Sequence, residues 1–431
     1  MIQKNITYKI CIIGLGYAGL HTAVAFGQKM KVIGFDIDPN RVLELNKHTD
    51  SHKDFTDEEL KSADIFYTSN PQDLELANFH IIVVPTPINF AKEPDLFCLE
   101  SASTIMGRHL KRGDVIVYES TVYPGATEEV CIPILERESS LVCGKDFYIG
   151  YSPERINPGD KVHKFYNTKK IVSGCNAEVL KIITAQYSKV VQVGVHCVSS
   201  IKAAEAVKVI ENTQRDINIA FMNEIAQVLH GLNLDTQEIL QAAKTKWNFL
   251  PFEPGLVGGH CIGVDAYYLI HKMHEINFNP ELMIAARRIN DSIVQFIFEQ
   301  VIKHLILQNI QVNNSRIAIL GLTYKEDCVD IRNSRVFDLI KIFQDYQIDV
   351  QVSDPIANSD LIFREYGIKV VDYKKLKNIS AIIVAVAHEE FKLLQSNYFK
   401  KTLVKNGLIV DIKSIFPSQE FKSKGLMIWQ L

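Results

Sequence analysis

The sequence predicts an α/β fold: two Rossmann-like, doubly wound domains joined by a long central helix within a helical segment. Three observations carry this. An apolar run, Ile10-Cys11-Ile12-Ile13, leads straight into Gly14, Gly16 and Gly19. The run-then-glycine pattern returns at Ile317-Ala318-Ile319-Leu320-Gly321-Leu322. Between them, Ser199 to Leu232 is rich in alanine, valine and isoleucine and holds no glycine or proline before Gly231, the signature of one long helix. The expected domains are 1–198, 199–308 and 309–431.

Taken in order, the opening reads as strand Lys9 to Ile13, glycine turn Gly14 to Gly19, helix Leu20 to Lys29 and strand Lys31 to Phe35, closing on Asp36. This is a βαβ unit. The runs His80 to Val84 and Asp114 to Tyr118 predict further parallel strands, each followed by a polar or proline-bearing loop. Glu281 to Leu307 reads as a second long helix. In the last third, strand signals cover Ile317 to Leu320, Asp349 to Ser353 before Asp354-Pro355, and Ala381 to Ala385, with a helix from Ser334 to Tyr346. The second copy of the glycine pattern lacks the later glycines, so it is not expected to cradle a pyrophosphate as the first does.

Composition excludes several classes. The 431 residues are 47% hydrophobic and 23% charged, with a formal net charge of -3, so no global field draws the chain to nucleic acid or anionic membrane. No apolar stretch reaches the roughly 18 residues of a membrane span, and Met1-Ile2-Gln3-Lys4-Asn5 lacks a signal-peptide core, so the expected home is the cytosol. Eight cysteines stand without any Cys-x-x-Cys pair, and most are expected as reduced thiols in cores. His260 beside Cys261 and His196 beside Cys197 have no further ligands at zinc spacing, so no metal is expected.

Gly14, Gly16 and Gly19 between a strand and a helix form a dinucleotide-binding fingerprint, with Tyr17 among them. Asp36 at the end of the second strand suits a ribose 2′-hydroxyl and repels a 2′-phosphate, favouring NAD over NADP; Arg41 is the one nearby group pointing the other way. Thr86, in Pro85-Thr86-Pro87, and Thr121, in Glu119-Ser120-Thr121, follow predicted strands, where their hydroxyls can face the nicotinamide half; ordinary turns would read the same. Glu154 and Arg155, in Ser152-Pro153-Glu154-Arg155-Ile156-Asn157-Pro158-Gly159, suit activation of water and contact with a phosphate or sugar, or else a solvent-exposed ion pair. Glu205, Lys208, Asn212 and Arg215 share one face of the long helix. A solvated face explains that stripe, whereas Lys208 and Asn212 one turn apart can together donate to an alkoxide. Gly258-Gly259-His260-Cys261-Ile262-Gly263-Val264-Asp265 sets a single thiol among glycines, which are expected to leave open space for attack on a carbonyl carbon, with a carboxylate four positions on.

Glu205-Ala206-Val207-Lys208-Val209-Ile210-Glu211-Asn212-Thr213, Pro254-Gly255-Leu256-Val257-Gly258-Gly259-His260-Cys261, and Lys325-Glu326-Asp327 before Arg332 resemble signatures of the UDP-glucose/GDP-mannose dehydrogenase family, in order along nearly the whole chain. The likeness is strongest to the branch acting on UDP-N-acetylhexosamines. It implies a four-electron oxidation of a sugar C6 hydroxyl to the uronate, for surface polysaccharide precursors, with two NAD used in turn. UDP-N-acetylglucosamine is the first expected substrate, with UDP-N-acetylgalactosamine and UDP-glucose as alternatives. The resemblance further implies Cys261 as nucleophile, Asp265 or Lys208 as base through water, Lys208 and Asn212 as oxyanion donors, and Glu154 with Thr121 for the hydrolytic water. It also implies Arg155, Lys208, Asn212, Arg215, Gly255 and Lys325 for the UDP-sugar, Arg332 for the cofactor pyrophosphate, and a homodimer built on the helical segment. Ala266 departs from the pattern, standing where related sequences often carry proline before the tyrosine pair Tyr267 and Tyr268. Two other readings use the same sequence: a β-hydroxyacid dehydrogenase making one hydride transfer without a thiolate, and a nucleotide-binding regulator without chemistry.

Overall fold

The computed structural model describes residues 7–51, 54–156 and 162–431. Asn157, Pro158 and Gly159 of the predicted loop, and the first five residues, lie outside the described residues. The chain divides into two compact units, one of residues 1–212 and 264–279, the other of residues 213–263 and 280–431.

The first unit is built on eight strands: β1 (Ile10–Ile13), β2 (Val32–Phe35), β3 (Ile65–Thr68), β4 (Phe79–Ile82), β5 (Val115–Tyr118), β6 (Tyr148–Tyr151), β7 (Lys170–Gly174) and β8 (Val195–Cys197). Their order across the sheet is β3-β2-β1-β4-β5-β6-β7-β8. Because successive side chains alternate, Ile10 and Ile12 enter one apolar cluster and Cys11 and Ile13 the other, so both sheet faces are covered. That double burial is why these strands read as unbroken apolar runs. The expectation of parallel strands holds except at β6–β7, which pair antiparallel through Gly150↔Gly174 and Tyr151↔Ser173. An apolar run of four residues carries no mark of direction.

The helix of the fingerprint starts at Tyr17, not Leu20, and runs to Gly27. Gly19 therefore lies in its first turn rather than in the preceding loop. A Cβ on Gly19 would stand 1.8 Å from the Gly14 carbonyl oxygen, so only glycine lets helix and loop approach this closely.

The second unit carries β9 (Arg316–Leu320), β10 (Asp349–Ser353), β11 (Ile379–Val384), β12 (Leu403–Asp411) and β13 (Met427–Gln430), ordered β10-β9-β11-β12-β13 and all parallel. Ile293, Ile297, Val301 and Leu305 of helix Glu281–Leu307 bury one sheet face, and Phe391, Phe399, Phe416 and Phe421 the other. The long helix runs Ile201–Gly231, within the expected span. Among the described residues no helix is long and apolar enough to cross a membrane.

None of the eight cysteines forms a disulfide, but only Cys11, Cys131 and Cys328 are buried, contrary to the expectation that most would fill cores. Cys175 is exposed just past the end of β7, and Cys197 lies on β8, the edge strand of the sheet, none of whose three residues is buried.

Candidate active site

In the first unit, strand β1 delivers Gly14 at φ +92, and its N–H donates to the Phe35 carbonyl at 2.8 Å. Gly16 caps the following helix without a side chain, and a Cβ there would meet no heavy atom within 4 Å. A bare helix N-terminus beside open space is what a pyrophosphate requires, so these residues fit a dinucleotide. Tyr17 opens the helix with its ring 4.8 Å from that of His21. Asp36 accepts the N–H of Leu15 at 2.7 Å and that of Asp38 at 2.9 Å, which ties the carboxylate to the glycine loop and leaves lone pairs for a ribose hydroxyl. Arg41 is buried, donates to the Leu15 carbonyl at 2.9 Å, and pairs with Glu44 and Asp50. Its charge is met within the protein, where it braces the loop.

The stripe on the long helix is not a solvated face. Glu205, Lys208 and Asn212 are all buried, and only Arg215 is exposed. The Glu205 carboxylate accepts the N–H groups of Gly125 (2.5 Å) and Thr127 (2.9 Å), fixing the end of the loop that carries Thr121. Lys208 Nζ donates to the Glu154 carbonyl at 2.6 Å. Asn212 Nδ2 donates to Asp265 Oδ2 at 2.5 Å. Burial pushes the Asp265 carboxyl up to about 6, against the opposing pull of Lys208 and the Asn212 hydrogen bond. Ala266, the departure from the family pattern, is fully buried inside the unbroken helix Ile262–Glu275, and Asn212 donates to Asp265 beside it.

Glu154 turns its carboxylate back onto the N–H groups of Arg155 and Ile156, both at 2.6 Å. Burial raises it, but Lys170, these donors and Lys208 outweigh that and hold it below the usual carboxylate range. Arg155 forms the ion-pair alternative: its guanidinium engages Glu211 at 2.5 Å and the Lys169 carbonyl at 2.7 Å. Thr86 and Thr121 are half-buried at the ends of β4 and β5, and the Tyr268 hydroxyl closes onto the Pro87 carbonyl at 3.0 Å.

In the second unit, Asn223 of the long helix grips Gly255 from both sides, accepting its N–H at 2.8 Å and donating to its carbonyl at 3.1 Å. Sequence reasoning missed Asn223 because a buried amide looks like any polar helix residue. The expectation that Gly258 and Gly259 open space is corrected. A Cβ on Gly258 would meet the Asn333 carbonyl oxygen at 2.6 Å, and one on Gly259, at φ +83, would strike the Tyr324 ring at 2.7 Å. These glycines admit the 324–334 loop, and of the three only Gly263 has open surroundings. Cys261 is half-buried, one residue before helix Ile262–Glu275, and Asp265 falls in that helix's first turn. Lys325 lines a cavity with Thr323, Tyr324, Arg335 and Lys413, beside Leu256 and Gly258. Arg332 pairs with Asp330 at 2.8 Å.

Three family models match the chain in order, the middle one drawing on residues of both units. Residues 8–191 match the NAD binding domain of the UDP-glucose/GDP-mannose dehydrogenase family, 202–292 its central domain and 318–418 its UDP binding domain. Protein CapL of Staphylococcus aureus is 50% identical over 98% of this chain and 99% of its own length. A UDP-N-acetyl-D-glucosamine 6-dehydrogenase of Salmonella typhi is 49% identical over 96% of this chain and 97% of its own. Among solved structures, a UDP-D-ManNAc dehydrogenase from Pyrococcus horikoshii superposes with a TM-score of 0.88 at 29% identity, covering 98% of each chain. The chain belongs to the UDP-glucose/GDP-mannose dehydrogenase family, NAD-dependent oxidoreductases of nucleotide sugars.

Proposed function

We propose that this chain oxidises the C6 hydroxymethyl group of a UDP-N-acetylhexosamine, UDP-N-acetylglucosamine first, to the carboxylate through a cysteine-bound intermediate. The observation that carries the reading is the buried set Lys208, Asn212 and Asp265, with Asp265 one helical turn beyond Cys261. The 49% identity to the Salmonella typhi relative, over 96% of this chain, supports the choice of sugar.

NAD, when bound, supplies the hydride acceptor for each of two successive oxidations. Asp265, or Lys208 through water, takes the C6 hydroxyl proton as the first hydride leaves, giving an aldehyde. The Cys261 thiolate adds to the aldehyde carbon, aided by its place at a helix N-terminus, where negative charge is favoured. Lys208 and the second N–H of Asn212 donate to the resulting oxyanion. Loss of the second hydride from that carbon leaves a thioester. Glu154 then takes a proton from a water placed with the help of Thr121; the water oxygen attacks, the C–S bond breaks, and the uronate departs with Cys261 restored.

Arg155, Arg215, Gly255 and Lys325 are proposed for the UDP-sugar. Gly14, Gly16, Tyr17, Gly19, Asp36, Arg41, Thr86, Thr121 and Arg332 are proposed for NAD. The three-part division at 198 and 308 and a homodimer through the helical segment belong to the same proposal. Ile210, Phe221 and Val228, exposed at spacings of eleven and seven, lie on one face of the long helix and suit self-association. A single monomeric species in sedimentation at micromolar concentration would end that part.

The test is a panel of UDP-hexoses with NAD, given to the native protein and to Cys261→Ser. Two NADH per UDP-N-acetylglucosamine, lost in the variant, is the expected result. One NADH per substrate with full activity in Cys261→Ser points instead to a single-step dehydrogenase, and binding without NADH for any sugar to a regulator.

A further inference from the structure

We propose that Glu119 and Lys170 form a buried charge pair that sets the orientation and basicity of Glu154, with Glu119 a positioning residue that never touches substrate. The inference rests on the reading of Glu154 as the group that activates the hydrolytic water.

Glu119 immediately follows β5 and Lys170 opens β7; they are 0% and 4% exposed, so neither is a surface charge. Lys170 Nζ stands 2.9 Å from Glu119 Oε2 and 3.3 Å from Glu154 Oε2. One cation therefore serves two carboxylates. The ammonium also lies over the rings of Phe165 (5.0 Å) and Tyr187 (5.6 Å), which fix it between them. Glu119 is held in turn by the Tyr187 hydroxyl and by Thr22 Oγ1 at 3.3 Å.

Every element packed around the cluster brings a group to consider. Lys208, from the long helix, adds positive charge near Glu154. His21, from the first helix, is kept neutral by burial, which lowers it to about 4. Tyr151 of β6 and Tyr187 are held protonated by burial. Burial likewise pushes Glu119 up to about 7, against the pull of Lys170, while Glu154 stays below the usual range. Near neutral pH, Glu119 is thus the member of the pair that exchanges a proton.

The consequence follows from Coulomb's law in a site of low dielectric. With Glu119 protonated, the whole field of Lys170 acts on Glu154 and weakens it as a base. With Glu119 ionised, the cation is shared and Glu154 accepts a proton from water more readily. The opening of the thioester should therefore quicken as pH rises through about 7.

The experiment measures the pH profile of kcat, with KM values and melting curves, for native protein, Glu119→Gln, Tyr187→Phe and Glu154→Gln. Glu119→Gln is expected to remove the limb near neutrality, shifting the profile toward acid by about one pH unit or more and lowering the alkaline plateau. Tyr187→Phe keeps the ring under Lys170 but removes a donor to ionised Glu119, and is expected to shift the limb the other way. KM for sugar and NAD should stay within about twofold. Opposite shifts support the proposal, because packing damage would lower the rate at every pH alike. An unmoved limb in both variants, or a uniform loss, overturns it. If Glu154→Gln itself keeps full turnover, the reading beneath the proposal falls instead.

Discussion

Asp265→Asn should gain stability relative to the native protein as pH rises, while disabling turnover. The carboxyl ordinarily titrates at 3.8 and is pushed up to about 6 by burial, against the attraction of Lys208 and the Asn212 hydrogen bond. A folded pKa above the unfolded one means that stability is fully present below 3.8 and is lost as pH rises to 6. The whole gap corresponds to about 3 kcal/mol, and about 2 kcal/mol of it falls above about pH 4.5. Asparagine imitates the protonated acid and carries no such cost. Its surplus N–H lowers stability by about 1–3 kcal/mol if unpaired, but equally at all pH values. The stability of the variant relative to native protein should thus climb by about 2 kcal/mol from about pH 4.5 to about pH 8, at about 2–4 °C of melting temperature per kcal/mol. Turnover should fall by about 10²–10⁴-fold, the usual range for a lost general base. Calorimetry of the ligand-free protein across this range, with NADH formation measured alongside, is the assay. A stability gap that does not change with pH would refute the electrostatic argument.

Other substitutions test other joints of the structure. Gly19→Ala forces a Cβ to within 1.8 Å of the Gly14 carbonyl oxygen. Overpacking of this kind costs about 1–3 kcal/mol, and the variant should also lose the rise in melting temperature that NAD gives the native protein. Asn223→Ala strips the N–H and carbonyl of Gly255 of their partner, with an expected loss of about 1–3 kcal/mol in denaturant titration and a raised KM for the UDP-sugar. Cys175 is exposed, and a hydrogen bond from Cys143 lowers its thiol to about 7. Limiting iodoacetamide near neutral pH should label it ahead of Cys197, which is also exposed, and Cys143→Ala, which removes the donor, should slow the labelling.

What the sequence revealed depended on how local each signal was. Glu281–Leu307 appears with both ends as expected, because helical periodicity is written in neighbours a turn apart. The glycine turn and Asp36 were legible for the same reason. The equivalence of the two units runs deeper than the repeated apolar run suggested. Gly321 takes φ +95 as Gly14 takes φ +92, and Asp354 accepts the Leu322 N–H at 2.6 Å as Asp36 accepts that of Leu15. Since the second unit lacks the later glycines, this aspartate contact belongs to the fold before it belongs to a cofactor. Glu119 and Lys170, fifty-one positions apart, could not be paired from the sequence, because a charge gives no sign of its burial. The same blindness made Lys208 and Asn212 look like a solvated face. Gly258 and Gly259 misled in the other direction: a missing side chain signals close approach as readily as empty space, and here Asn333 and Tyr324 fill the room.

The most direct test of the account is peptide mass spectrometry of Glu154→Gln after mixing with UDP-N-acetylglucosamine and NAD. With hydrolysis slowed, the peptide containing Cys261 should carry the mass of the UDP-linked uronyl group, and hydroxylamine should release it. Uronate appearing in solution while that peptide stays unmodified at every time point would contradict a sulfur-borne oxidation.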